Sequence, residues 1–396
     1  MYRVDEQEEK AVTEVIATKN YFRYQGPGIE TKTSHCEKLW CDYLDTDFAL
    51  LLTSGTNALV VGMAAFGIGP GDEVIIPAYT FVATASAVMQ VGAIAVIANI
   101  DESLTLDPNE LKRCFSERTK AVIAVHMDGL ICDLEMLQNF CHEHDIFLFE
   151  DAAQACGGEY RGQKVGTIGD FGAFSFNMDK VISCGEGGLL TIKKGDKYQE
   201  HKKRAFISHD TACQYGESMK KNLAGVGPFF GISSRLNEIN AAMLIEQLKK
   251  LPEILVQLRE RKQLWVHALE KNEISLYRGH EQVGDTSTCI HIRCSDPMSA
   301  AMLTKKIIAR GIKALPPHFK PAHACWQWMQ AMSDNDYYVK GLNPYRLTDK
   351  KYTYDKTQFI PTVMILGQCL KIVIDLSISA VEEEKRIKEV IALLKN

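Results

Sequence analysis

No apolar run in these 396 residues approaches the ~18 that a membrane span needs. The longest runs are strand-sized, so no membrane partner is expected. The N-terminal "MYRVDEQEEKAV" is acidic and lacks an apolar h-region, which argues against a secretory leader. CxxC pairs are absent as well: the twelve cysteines are scattered. They read as reduced thiols of a cytoplasmic protein and offer no zinc site. "HEHD", His142 to Asp145, carries ligand-type side chains but is not HExxH, and neighbours one or two apart do not share a helix face. It reads as a solvated helix end, and no metal is expected. Neither sign of charge is in large excess. A net charge of −5 with interspersed acids and bases argues against a dedicated nucleic-acid surface. Finally, no GxGxxG follows a strand. The nearest match, "GIGPGDE", precedes one and reads as a turn, which disfavours a nicotinamide enzyme.

What is present is an alternation. From Phe48 to about Ile192 the strand-like runs "FALLL", "EVIIPAY", "IAVIANI", "AVIAVHM", "IFLFED", "GAFSF" and "GGLLTIK" are separated by helix-length stretches such as "GTNALVVGMAAFGI" and "DLEMLQNFCHEHD". This pattern predicts βα units, hence a mostly parallel sheet with helices on both faces. Ligands of such sheets bind at the carboxyl ends of the strands. After Asn237 comes a long helical stretch, expected to break or kink at Pro252, then "TCIHIRC", a helix, an irregular segment, "LKIVIDL" and a last helix. The expected division is a large α/β domain over 1–250 and a small α+β domain over 251–396. Ser333 to Lys356, rich in Asp, Tyr and Lys, reads as a loop.

Four positions carry chemistry, each just past a strand end. "LLTSGTNAL" runs from a strand through Ser54-Gly55-Thr56 into a helix, which is either an ordinary N-cap or an anion site built from amides and hydroxyls. Asp151, ending "IFLFED", either caps a turn or pairs with a heterocyclic nitrogen and keeps it protonated. Lys180, in "SFNMDKVISCGEGG", is either a surface charge or an amine nucleophile held in a glycine-bounded loop. Phe81, in "AYTFVATASA", is either core or a ring that stacks on a flat cofactor. A phosphate anchor, a pyridinium partner and a Schiff-base lysine are together the equipment of a pyridoxal-phosphate site.

The motifs "TSGTNAL", "GDEVIIPAYTFVATASAV", "EDAAQACGGEYRGQKVGTIGDFGAFSF", "K-x4-GEGG" and "GISSRLNEINAAMLIEQLKKL" resemble the DegT/DnrJ/EryC1/StrS aminotransferases, from about Gln25 to Pro252. The resemblance implies a fold-type I pyridoxal 5'-phosphate transferase acting on keto-sugars, with glutamate as amino donor and a homodimer whose active sites are shared. By it, Lys180 holds the cofactor covalently and Asp151 pairs with the pyridine nitrogen. Gln154 approaches the ring oxygen, Phe81 stacks on the ring, and Gly55, Thr56 and Ser175 hold the phosphate. Ser233 and Arg235, in "GISSRLNE", become cross-dimer contacts, although Ser233 stands where relatives often carry Asn. Asn177 stands where His is common. A dehydrating branch of the family has His in place of the lysine, so Lys180 favours transamination over a sugar dehydratase. The intact set also argues against a non-catalytic regulator. In "PPHFKPAH", Pro316 to His323, His318 is kept while Lys320 replaces Gln and His323 an aromatic, making His318 and Lys320 substrate-binding candidates. The acceptor implied is a nucleotide-linked keto-deoxysugar or an eight-carbon keto-sugar acid giving an 8-amino-3,8-dideoxy-octulosonate, for lipopolysaccharide or a related glycan.

Overall fold

The computed structural model describes residues 3–26, 28–210, 231–316, 320–334 and 341–395. Among the described residues thirteen strands follow one another, β1 to β13 in chain order. The large sheet contains β1 (Ala49–Leu52), β2 (Glu73–Pro77), β3 (Ile94–Ala98), β4 (Thr119–Val125), β5 (Phe147–Asp151), β8 (Phe171–Ser175) and β9 (Gly188–Ile192), in the order β1-β9-β8-β5-β4-β2-β3. Parallel pairing runs from β8 through β5, β4 and β2 to β3. β9 is antiparallel to both neighbours, β1 and β8. A small hairpin, β6 (Glu159–Tyr160) and β7 (Gln163–Lys164), stands apart.

Alternation along the parallel strands sorts their side chains to two faces. Ile123 and Phe149 pack with Leu59 and Val61 of helix Gly55–Ala65 and with Val88 of helix Ala83–Gln90. Val122, Ala124 and Leu148 pack on the other side with Trp40, Leu137 and Leu251, from helices Lys32–Leu44, Leu134–Glu143 and Glu238–Lys271. Both faces of the sheet are therefore covered, which is why strands such as "AVIAV" are apolar at every position rather than alternating.

Helix Glu238–Lys271 runs for 34 residues with Pro252 inside it, so the expected break there is not found. Leu251, Ile254, Leu255 and Leu258 on either side of the proline are buried in one core cluster, and that packing outweighs the lost hydrogen bond. The expected division at 250/251 falls within this one element. Beyond it, β10 (Leu276–Tyr277), β11 (Cys289–Arg293), β13 (Cys369–Val373) and β12 (Ala314–Leu315) form an antiparallel sheet in that order. The segment read as a loop after Ser333 carries a 3-10 turn at Pro344–Arg346, and the Tyr345 hydroxyl donates to the Ala95 carbonyl at 2.9 Å. Tyr345, Tyr352 and Tyr354 are anchors on the large sheet, through Ala95 and Glu73. Among the described residues, no helix is long and apolar enough to cross a membrane.

Candidate active site

The carboxyl ends of β4, β5 and β8 meet beside the N-terminus of helix Gly55–Ala65. The helix starts there because Ser54 caps it: its hydroxyl accepts the Asn57 N–H at 3.1 Å. The first-turn amides of Gly55 and Thr56 are left without intrahelical acceptors, as at any helix N-terminus. They converge with Ser175 at the end of β8. A Cβ on Gly55 would lie 2.9 Å from the Ser175 Cβ, so only glycine lets helix and strand approach this closely.

Asp151 ends β5 and is buried. Its Oδ2 accepts the Thr84 hydroxyl at 2.8 Å and its Oδ1 the Ala153 N–H at 3.2 Å. Thr80 Oγ1 lies 2.7 Å from Thr84 Oγ1 and completes a hydroxyl relay behind the carboxylate. Burial pushes the Asp151 pKa up, and the Thr84 and Ala153 hydrogen bonds oppose it. Glu150 points to the other face and is wholly buried, accepting N–H groups of Gly166, Ile168 and Gly169 at 2.7–2.8 Å. It anchors the loop into β8. His126 accepts the Cys132 N–H on Nδ1 at 3.2 Å, so its Nε2 carries the hydrogen and donates to Glu150 at 3.2 Å.

Lys180 lies in a loop closed by Ser175 pairing with Gly188, by Phe176 N–H to the Gly187 carbonyl at 2.9 Å and by Lys180 N–H to the Asn177 carbonyl at 3.2 Å. Burial lowers the pKa of its ammonium; the carboxylates of Asp151 and Asp179 oppose this and Lys320 reinforces it. Two adjoining cavities share Phe81, Gln154, Asn177 and Lys180 in their walls. The first, about 130 Å³, adds Gly55, Thr56, Asp151 and Ser175. The second, about 540 Å³, opens toward the small sheet and adds Asp128, Lys320, His323 and Lys371. Phe81 is 45% exposed, a large ring left uncovered at the junction. Burial, with Lys371 adding to it, pulls the pKa of His323 down to about 4.

Thus Gly55, Thr56, Phe81, Asp151, Gln154, Ser175 and Lys180, expected together, line one space. Lys320 is exposed on the wall of the larger cavity, and His318 lies outside the described residues. Ser233 and Arg235 line neither cavity among the described residues. Arg235 pairs with Asp210 and its guanidinium stands 5.2 Å from the Phe22 ring centroid. Sequence reading missed Thr84, Asp128, His291 and Lys371. Thr84 follows Thr80 by four residues, one helical turn, while His291 and Lys371 interrupt the apolar strands "TCIHIRC" and "LKIVIDL". Those interruptions were the available signal.

The model of the DegT/DnrJ/EryC1/StrS aminotransferase family matches residues 3–346. The chain belongs to this family. Family members are pyridoxal-phosphate enzymes, and the donor set fits that cofactor: helix amides and hydroxyls for a phosphate, a buried carboxylate for a ring nitrogen and a desolvated amine. Among curated relatives, a GDP-perosamine synthase of Caulobacter vibrioides is 36% identical over 230 residues, 58% of this chain and 59% of that one. A GDP-perosamine synthase of Vibrio cholerae is 43% identical over 155 residues, 39% of this chain and 42% of that one. An L-glutamine:2-deoxy-scyllo-inosose aminotransferase of Streptoalloteichus tenebrarius is 36% identical over 230 residues, 57% of this chain and 54% of that one. The matched stretch is thus less than two thirds of each relative. An aminotransferase from Psychrobacter cryohalolentis superposes with a TM-score of 0.81 at 23% identity, covering 100% of this chain and 99% of that one. For 3-amino-5-hydroxybenzoic acid synthase the values are 0.80, 24%, 99% and 97%. Both likenesses speak for the fold, type I of the family.

Proposed function

We propose that the protein is a pyridoxal-phosphate-dependent aminotransferase that carries an amino group from an amino acid to the carbonyl of a keto-sugar. The product is an amino sugar for lipopolysaccharide or a related surface glycan. One observation carries the reading: Lys180 stands in the wall common to both cavities, desolvated and under the influence of Asp151. A buried amine with a lowered pKa is what a carbonyl-directed nucleophile needs.

Pyridoxal phosphate, when bound, supplies an electron sink for charge developing at the carbon next to nitrogen. The residues divide the remaining work. Gly55, Thr56 and Ser175 would hold the phosphate, and Phe81 would cover the ring. Asp151 would hold the proton at the ring nitrogen, with Thr84 orienting that carboxylate. Gln154 would donate to the ring oxygen. The Lys180 amine would hold the cofactor and serve as the base that takes the proton from the donor's α-carbon. In the second half it would return a proton to the sugar carbon that receives nitrogen. Ser233 and Arg235 serve the site of a partner copy in a homodimer.

The donor is glutamate or, in line with the name of the inosose relative, glutamine. The acceptor is a nucleotide-linked keto-deoxysugar, as the perosamine relatives suggest, or a free eight-carbon keto-sugar acid. Lys320, with His318 beside it in sequence, suits the diphosphate of the one or the carboxylate of the other. Adding glutamate or glutamine to holoenzyme should discharge the visible absorbance of the bound cofactor, and one member of a keto-sugar panel should restore it. Lys180→Ala should lose both colour and turnover. Failure of either amino acid to discharge the absorbance, or repeated turnover by Lys180→Ala, overturns the reading. Consumption of a keto-sugar without an amino donor would mark a dehydratase instead.

A further inference from the structure

Asp128 follows β4 in a left-handed backbone conformation, φ 55°, that side-chain-bearing residues seldom adopt. Groups from four directions hold it there. Its carboxylate accepts the Tyr79 hydroxyl at 2.7 Å and His291 Nε2 at 3.2 Å on Oδ2, and the Lys371 ammonium at 2.7 Å on Oδ1. Its carbonyl accepts the Thr288 hydroxyl at 2.7 Å. All of these side chains are buried. His291 and Lys371 are direct cross-strand partners on β11 and β13, so the small sheet presents them side by side. Burial would raise the Asp128 pKa, but the Lys371 ammonium and the His291 hydrogen bond hold it well below the usual carboxylate range. Burial lowers the pKa of His291, which therefore donates as a neutral imidazole. The next residue is stitched to the same segment. The Gly129 carbonyl accepts the Thr286 N–H at 3.2 Å, and a Cβ on Gly129 would stand 1.9 Å from Thr286 Oγ1.

What this arrangement holds in place is an amide. Asp128 N–H donates to Gln154 Oε1 at 3.0 Å, and Thr286 Oγ1 donates to the Gln154 carbonyl at 3.4 Å. Oε1 is committed to Asp128 and one Nε2 hydrogen to Met127 Sδ at 3.4 Å, which leaves the Gln154 carboxamide one N–H to offer to the cavities the residue lines. A buried ion pair is seldom more stabilising than a well-packed apolar replacement. Three donors on one carboxylate instead fix its orientation, and through it that of the backbone N–H. We propose that the Asp128–Lys371–His291 clasp is a positioning device: docking of the small sheet pins the backbone of Asp128, which aims Gln154 at the cofactor. The inference rests on the role given to Gln154 above and adds that the small sheet sets it.

The test is a cycle read on bound pyridoxal phosphate: its visible circular-dichroism band, which follows ring orientation, and its dissociation constant. The double variant Asp128→Asn/Lys371→Met keeps the volume and removes both charges. It should alter the band and weaken cofactor binding about tenfold, while the unfolding midpoint of the apoprotein stays within a few degrees. Gln154→Leu should do the same. The triple variant should bind within about twofold of Gln154→Leu alone, because residues acting through one contact are not additive. If the double variant does not fold, Asp128→Asn alone is read in the same cycle, with a smaller effect that also vanishes beside Gln154→Leu. An unchanged band and affinity in the folded clasp variant overturns the proposal, as does a triple variant showing the product of the separate losses. Whether glutamate discharges the parent holoenzyme tests the aminotransferase reading and does not enter this comparison.

Discussion

Asp151 has one carboxylate oxygen given to the Thr84 hydroxyl and the other to the Ala153 N–H, and burial still pushes its pKa up. For this group to stay ionised opposite a protonated ring nitrogen, each remaining donor matters. A hydrogen bond to a charged acceptor is worth roughly 1.5–3 kcal/mol. Thr84→Val keeps the shape and removes the donor, so it should cost about tenfold or more in the donor half-reaction; Thr84→Ser should keep most of the rate. Single-turnover absorbance decay with glutamate measures both, and equal rates in Val and Ser variants would remove Thr84 from the support of Asp151. That Lys180, Asp151 and Ser54-Gly55-Thr56 would meet around one space was legible in the sequence, because each stands at a strand end in a pattern that repeats three times. Thr84 and Asp128 were not. Their partners lie 67 and 243 residues away, at Asp151 and Lys371, and no local spacing encodes such contacts.

The elements meet where the site needs them because small residues let them. Gly55 begins a helix whose N-terminus rests on the end of β8, with the Ser175 Cβ 2.9 Å and the Phe174 carbonyl 3.1 Å from where a methyl group would stand. Gly55→Ala would push the helix off the strand end and misalign the amides that the proposed function gives to the cofactor phosphate. Overpacking of this kind costs typically 1–3 kcal/mol. The expected result is a dissociation constant for pyridoxal phosphate raised about tenfold or more, measured by absorbance titration, with the amino-donor rate at saturating cofactor much less affected. The strand and helix order of this region could be read from alternating runs. The reversal of β9 could not, since an apolar five-residue strand buried on both faces looks the same in either direction. Nor could the continuity of helix Glu238–Lys271 through Pro252, which tertiary packing decides against local propensity.

At the scale of the whole molecule, the approach to Arg235 is also a stability element. His209, wholly buried, donates from Nδ1 to the Phe206 carbonyl and accepts the Tyr24 hydroxyl at 3.2 Å on Nε2. Burial pulls its pKa down to about 3, and the charge of Arg23 adds to this. An unfolded histidine titrates near 6.5, so below that pH the unfolded chain binds a proton that the folded one refuses. Stability attributable to His209 is therefore intact above about pH 6.5 and falls by roughly 1.4 kcal/mol per pH unit toward the folded-state value. Between pH 7 and 5 that is about 2 kcal/mol, and His209→Gln should show a correspondingly smaller drop in urea midpoint. Equal drops would mean that the imidazole is protonated in the fold. Next to it, Arg235 pairs with Asp210 and lies over Phe22, away from both cavities of its own chain. In the homodimer proposed above, Arg235 serves the partner's site rather than its own. Mixing Lys180→Ala chains with Arg235→Ala chains should then regain activity, because one of the two sites in each hybrid holds both intact residues. At full mixing of equal amounts, half of the dimers are hybrids, each with one intact site, so recovery should approach one quarter of the parent activity. Subunit exchange is followed by a mass tag on one chain. Demonstrably mixed dimers with no activity above that of the separate variants would assign Arg235 to its own chain.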